Sequence, residues 1–249
     1  MNNSILSSAS PRRSFWRRPL GIFALLLIIL AILAGVYLRP LISYLLTPNQ
    51  YAKVVSIERQ PNYRDPKAMA AAWSLPVART YRRLPYEFQG NQSFCGPTSL
   101  ANVMHSLGNT SSQRAVIAGS RYDPWFGVLP GGMNLDELAD LTRQRTRAQV
   151  IVVRDPTLAG FRSYMRMAND PAHRIIANFH RGPLFGRGGG HFSPILGYLA
   201  DRDLILVGDV NAKYQPFLVS SERLWRAIDT PDSATGKDRG LLVVNLGAP

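Results

Sequence analysis

The chain is poor in cysteine, in histidine and, at one end, in acid. There is one cysteine in 249 residues, Cys95, so no intramolecular disulfide framework and no multi-cysteine zinc site can be built. There are four histidines, which keeps any search for a general base short. Residues 1–50 contain no Asp or Glu but hold Arg12, Arg13, Arg17, Arg18 and Arg39. The net charge of +13 therefore divides unevenly. Five units sit in that segment, leaving 24 basic against 16 acidic residues elsewhere. The remaining basic residues are scattered, and no RNA-recognition, zinc-finger or basic-zipper pattern is present, so nucleic acid is not expected as a partner. A basic surface suits acidic small molecules or anionic lipid equally well. Oligomeric state is left open, a homodimer included.

One long apolar run is present. Leu20 to Leu38, LGIFALLLIILAILAGVYL, is 19 residues without a charge. As a helix it spans roughly 28 Å, near the thickness of a bilayer's hydrocarbon core. Four arginines precede it, and Arg39-Pro40 is expected to end it. The positive flank points to the cytoplasm and sends the rest of the chain to the far side. The expected organisation is a cytoplasmic basic N-terminus over 1–19, a transmembrane anchor over 20–38, a linker over 39–63 and a catalytic domain over 64–249. For a cleaved secretory signal, the alternative, the apolar stretch is long and no clear small-x-small site follows.

Helical patterns dominate the first half of the domain: Asp65 to Trp73, the stretch from Cys95 to Leu107, and Leu135 to Arg145 behind an Asn134 cap. Strand-like runs dominate the second: Gln149 to Val153, Arg174 to Phe179, His191 to Leu199, Leu204 to Asp209 and Leu241 to Leu246. Between them Pro156 to Met167 and Glu222 to Ile228, capped by Ser221, read as helices. This is an α+β pattern.

The lone cysteine opens a helix, with Pro97 suited to the first turn. Unpaired N–H groups and the helix dipole there favour negative charge, so a lowered thiolate pKa and a nucleophilic role are expected. A buried, inert small hydrophobe is the competing reading. Of the histidines, His105 lies three turns into the cysteine's helix, His173 sits in a turn and His180 ends a strand. His191 differs: it follows Gly188-Gly189-Gly190 and opens an apolar strand, and glycines such as Gly190 let a substrate backbone come close. A turn at Asp201-Arg202 makes facing residues in the two flanking strands sum to about 400–403. That places Asp209 within about three residues of the position opposite His191, near enough to orient the imidazole. Gln89, six residues before Cys95, can offer an amide N–H to a tetrahedral oxyanion.

Gln-x5-Cys-Gly-Pro, the stretches FHRG, GGGHFSPILGY, GDVNAKY and DSATGKDRGLLVV, and an Asp 18 residues beyond the His resemble the phytochelatin synthase family over roughly residues 80–246. The resemblance implies a papain-like cysteine-peptidase fold and a Cys95–His191–Asp209 triad with Gln89 in the oxyanion hole. It implies glutathione as substrate, cleaved at its Cys–Gly bond through a γ-Glu-Cys acyl-enzyme that passes to water or to a second glutathione. No cofactor is built in; soft divalent metals such as Cd or Zn enter as glutathione thiolate complexes. Arg181, Asp232 and Arg239 match substrate-side positions, suited by charge to carboxylates and an ammonium. The short chain resembles bacterial members, which are mainly glutathione hydrolases. Where the family has Asp-Val-x-Arg-x-Lys-Tyr, this chain reads Asp209-Val210-Asn211-Ala212-Lys213-Tyr214, one residue shorter and without the arginine. Two other functions compete: another papain-like peptidase, such as one that removes Gly-Gly leaders, and an inactive membrane-tethered binding module.

Overall fold

The computed structural model describes residues 17–46, 49–122 and 132–247. The chain divides into two units, Met1–Pro48 and Asn49–Pro249. In the first, residues 1–16, most of the expected cytoplasmic segment, lie outside the described residues. Helix α1 runs over Arg17–Leu46. It continues past Pro40, where the sequence reading ends it. A proline removes a single helical N–H, and the apolar Leu41 to Leu46 beyond it is itself a good helix former. The side chains described on α1 are those of 21–36 and 38, all exposed. Among the described residues no helix is long and apolar enough to cross a membrane.

The second unit is α+β. Its elements are α2 (Pro66–Trp73), α3 (Pro76–Thr80), α4 (Cys95–Ser106), α5 (Gln113–Ile117), α6 (Leu135–Thr146), β1 (Gln149–Arg154), α7 (Leu158–Met167), β2 (His173–His180), α8 (Gly182–Phe185), β3 (Gly190–Leu199), β4 (Leu204–Val207), β5 (Phe217–Ser220), α9 (Ser221–Ile228) and β6 (Gly240–Asn245). The strands form one sheet in the order β1-β6-β2-β3-β4-β5, every pair antiparallel. The unit starts upstream of residue 64: Ile57 and Tyr63 are buried in the core beside Phe217.

Alternation along the strands assigns side chains to two faces. Ile176, Phe192, Leu206 and Leu242 meet α2, α4 and α6 on one face. Ile175, Ala177, Phe179, Ile195 and Val207 meet α7, α8 and α9 on the other. Helix α9 starts one residue earlier than expected, because Ser220 rather than Ser221 takes the cap and accepts from the Arg223 N–H.

The hairpin from β3 to β4 decides where Asp209 points. Leu199 faces Leu204 and Gly197 faces Leu206, but Ile195 faces Val207. Leu196 is thus an extra residue on β3, a bulge that drops the register by one. Beyond it Gly208 N donates to Pro194 O at 2.9 Å, in the shifted register. Asp209 therefore shares a face with Val207, Ile195 and His191. Without the bulge it would lie on the opposite face.

Candidate active site

Cys95 is the first residue of α4, and its side chain is buried. The helix begins without a side-chain cap: Phe94 stands at the N-cap and no acid occupies the first turn. The backbone N–H groups of Phe192 and Gly96 lie near enough to the sulfur to pull its pKa down. The start of β3 therefore lies near Cys95, one residue from His191.

His191 is 4% exposed. Its Nε2 lies 3.1 Å from Asp209 Oδ1, and its ring meets Phe179 edge-on at 5.5 Å. With Nε2–H donated to the carboxylate, Nδ1 is the ring nitrogen that carries no proton. Asp209 is fully buried. Its Oδ1 also accepts from Arg181 Nη2 at 2.9 Å and from the Asn211 N–H at 2.8 Å. Burial alone would raise this carboxyl's pKa, but His191, Arg181 and the Asn211 amide together hold it below the ordinary value.

The expected low thiolate pKa is not what the site produces. Burial pushes the Cys95 thiol up. The two N–H groups and the Arg181 charge oppose that push without overcoming it. Burial, then Arg181, push His191 down, against Asp209. Both shifts favour the neutral groups, thiol and imidazole, over thiolate and imidazolium.

The other expected site residues fall as follows. Gln89 anchors its backbone N–H on Val210 O at 2.8 Å, next to Asp209. Its Nε2 donates to Asn91 O at 2.9 Å, and its Oε1 is buried without a partner among the described residues. Arg181, assigned by resemblance to the substrate, is 6% exposed and committed elsewhere. One nitrogen holds Asp209, and the guanidinium lies 4.0 Å over the Tyr214 ring. Arg239, also 6% exposed, shares Nη1 between Asn178 Oδ1 and Asp232 Oδ2, each at 3.3 Å. Its guanidinium lies against Gly190, where any side-chain carbon would displace it. It is near enough to Cys95 for their charges to interact. Arg239, Asp232, Gly190 and Cys95 thus belong to one neighbourhood. His105 bonds the Ser111 carbonyl and His173 bonds Asp170, both as local contacts. Among the described residues no group of three or more His, Cys, Asp or Glu is placed to hold a metal ion.

Sequence reasoning missed the residues that hold the loop bearing Gln89. Buried Asn102, on α4, accepts from Glu87 N and donates to Glu87 O, both at 2.9 Å. Gln113 accepts from Gly90 N at 2.9 Å and donates to Phe88 O at 3.0 Å. Neither has a local signature. An Asn on a helix's buried face was the only available cue.

The family model described as phytochelatin synthase matches residues 64–241. The chain belongs to the phytochelatin synthase family. Among the relatives, glutathione gamma-glutamylcysteinyltransferase 1 of Triticum aestivum is 31% identical over 171 residues, covering 64% of this chain and 34% of that protein. Glutathione gamma-glutamylcysteinyltransferase 2 of Arabidopsis thaliana is 30% identical over 172 residues, covering 64% of this chain and 38% of that protein. The match therefore spans little more than a third of these relatives' length. Solved structures similar to this one include the peptidase domain of Streptococcus ComA, a bi-functional ABC transporter, at 15% identity and TM-score 0.45 over 65% of this chain and 97% of that one. A putative C39-like peptidase from Bacillus anthracis gives 12% identity and TM-score 0.48 over 67% and 96%. The family's matched region holds Cys95, His191, Asp209 and Gln89, together with Arg181, Gly190, Asp232 and Arg239.

Proposed function

We propose that this family member is a papain-like enzyme that cleaves the Cys–Gly bond of glutathione. Cys95 Sγ attacks the carbonyl carbon and its proton passes to His191 Nδ1. The oxyanion is held by backbone N–H at the helix start and by the Gln89 amide. His191 returns the proton to the departing glycine nitrogen, leaving a γ-Glu-Cys thioester on Cys95. Water then releases γ-Glu-Cys, or the amine of a second glutathione takes the acyl group and forms a phytochelatin. Soft divalent ions such as Cd or Zn enter as thiolate complexes of the substrate. Arg239 receives the α-carboxylate of the γ-glutamyl group and Asp232 its ammonium. Arg181 acts through Asp209.

The observation carrying this reading is the bond from His191 Nε2 to Asp209 Oδ1, with the backbone amide of the next residue, Phe192, near enough to the Cys95 thiol to pull its pKa down. A neutral thiol–imidazole pair suits it, since substrate arrival can trigger proton transfer within the buried site. The relatives' names agree with this choice of substrate.

Residues 20–38 anchor the chain in a bacterial inner membrane, with 1–19 cytoplasmic and the catalytic unit on the far side. The support is the sequence itself, a 19-residue uncharged stretch flanked by arginines. A reporter fused at the C-terminus tests the orientation: cytoplasmic signal alone overturns it.

The activity is tested by incubating the full chain in detergent with glutathione. Free glycine and γ-Glu-Cys are expected, and Cys95→Ser and His191→Ala should each lower the rate by at least about a thousandfold. Cleavage of a Gly-Gly peptide without glycine release from glutathione would replace this reading with leader processing.

A further inference from the structure

The family match begins at residue 64, yet the chain upstream of it is fastened to the site. Asn49 Nδ2 donates to Gly186 O at 2.8 Å. Tyr51 lies on Gly182, where a side-chain carbon would run into its ring, and its ring centroid is 5.0 Å from that of His180. Val55 O accepts from Arg223 at 2.6 Å, and Ile57 is fully buried. Residues 49–57 therefore form a strap over the turn that leads from β2 to β3, the turn that delivers His191.

The strap adds to a set of hydrogen-bond donors. His180 faces Gly190 in the sheet register, and the Arg239 guanidinium lies against that same glycine. His180 Nδ1 accepts the Gly182 N–H at 3.0 Å. Burial, then the Arg239 charge, bring its pKa down to about 4, so at neutral pH its hydrogen sits on Nε2. Arg239 Nε is buried and unpaired among the described residues. The Tyr51 phenol is near enough to Arg239 for charge interaction. The Arg239 guanidinium thus lies against the residue that precedes His191, His180 stands opposite that residue with Tyr51 on its ring, and the acceptors Asp232 and Asn178 already hold Arg239 Nη1. Such a set selects an anion. An acid beside it makes the selection narrower, for only the γ-glutamyl end of glutathione carries carboxylate and ammonium on one carbon.

We propose that Tyr51 and His180 complete, with Arg239, the seat of the γ-glutamyl α-carboxylate, so that the strap upstream of the family region is a substrate-positioning element. The assignment rests on the glutathione reading above. Tyr51 removes water from one side of the seat and donates from its hydroxyl; His180 donates from Nε2.

The test measures glycine release by the full chain from glutathione and from 4-aminobutyryl-Cys-Gly, which lacks only the α-carboxylate. Tyr51→Phe keeps the ring and should raise KM for glutathione about fivefold, with kcat little changed. His180→Leu should do the same, and His180→Gln, which can both accept and donate, should restore part of the loss. On the analogue, wild type, Tyr51→Phe and His180→Leu should have equal KM values. Unchanged KM for glutathione in Tyr51→Phe and His180→Leu overturns the proposal, as does an equal loss on both substrates, which marks a structural role. A wild-type chain that releases no glycine rejects the glutathione reading itself, and this assignment with it.

Discussion

Two helices of the second unit start in opposite ways. α6 opens on a complete capping box: Asn134 accepts from the Glu137 N–H at 3.0 Å, and Glu137 accepts from the Asn134 N–H at 2.8 Å. Asp136 and Glu137 add negative charge to its first turn. α4 opens on Cys95 with no side-chain cap and no acid. The first start spends its orphan donors on its own stability. The second leaves amides free for a sulfur or a developing oxyanion. α4 is instead stabilised by burial: Leu100, Ala101 and Val103 are fully buried. The lesson is that a helix start can forgo capping where packing holds it, and that the site here is made of what is left unsatisfied. Gln89 Oε1, Asp209 Oδ2, Arg181 Nη1 and Arg239 Nε are all buried without a partner among the described residues.

The contrast breaks most severely at the charges behind α4. Arg181→Met strands Asp209 with one donor fewer and should cost about 3 kcal/mol in urea unfolding. Arg181 also holds the His191 pKa down. Its removal should move the acid limb of the pH–rate profile to higher pH, an effect that lost packing alone would not give.

The next effect is acid sensitivity. His180 is held at about 4 in the folded chain against an ordinary 6.5. The unfolded state therefore binds a proton that the folded state refuses, and stability should fall as pH drops from 6.5 towards 4. His191, also depressed, acts in the same sense. Unfolding midpoints across that window check it, and His180→Gln should flatten the slope.

At α6 the expected effect is smaller. Asn134→Ala should lower stability by about 1 kcal/mol without changing the rate of glycine release, since this helix start serves only the fold. The comparison is sharpened last by iodoacetamide. With burial raising the Cys95 thiol above 9.0, labelling of the substrate-free chain should keep accelerating past that pH. A plateau below pH 8 would show a resting ion pair instead.

The secondary structure was largely legible. Periodicity and caps mark α2, α4, α6 and the strands β1, β2, β3 and β6, because each depends on residues within one or two turns. β5 was not: Phe217–Ser220 is four residues long and becomes a strand only by pairing with β4. Nor was the extension of α1 past Pro40, a position where local preference favours a stop.

The site divides along the same line. By itself the sequence determined that one thiol opens a helix, that one histidine follows a glycine run into a strand, and that the hairpin arithmetic brings Asp209 close to it. Those are properties of neighbours along the chain. Tertiary structure alone decided which face Asp209 takes, through the extra residue Leu196 on β3. It decided that Arg181 holds Asp209 and that Tyr51 covers Gly182 beside His180. It also reversed the expected thiolate. A helix start favours negative charge, but only the packed surroundings fix how much water that charge gives up, and here the loss of water outweighs the nearby N–H groups and Arg181.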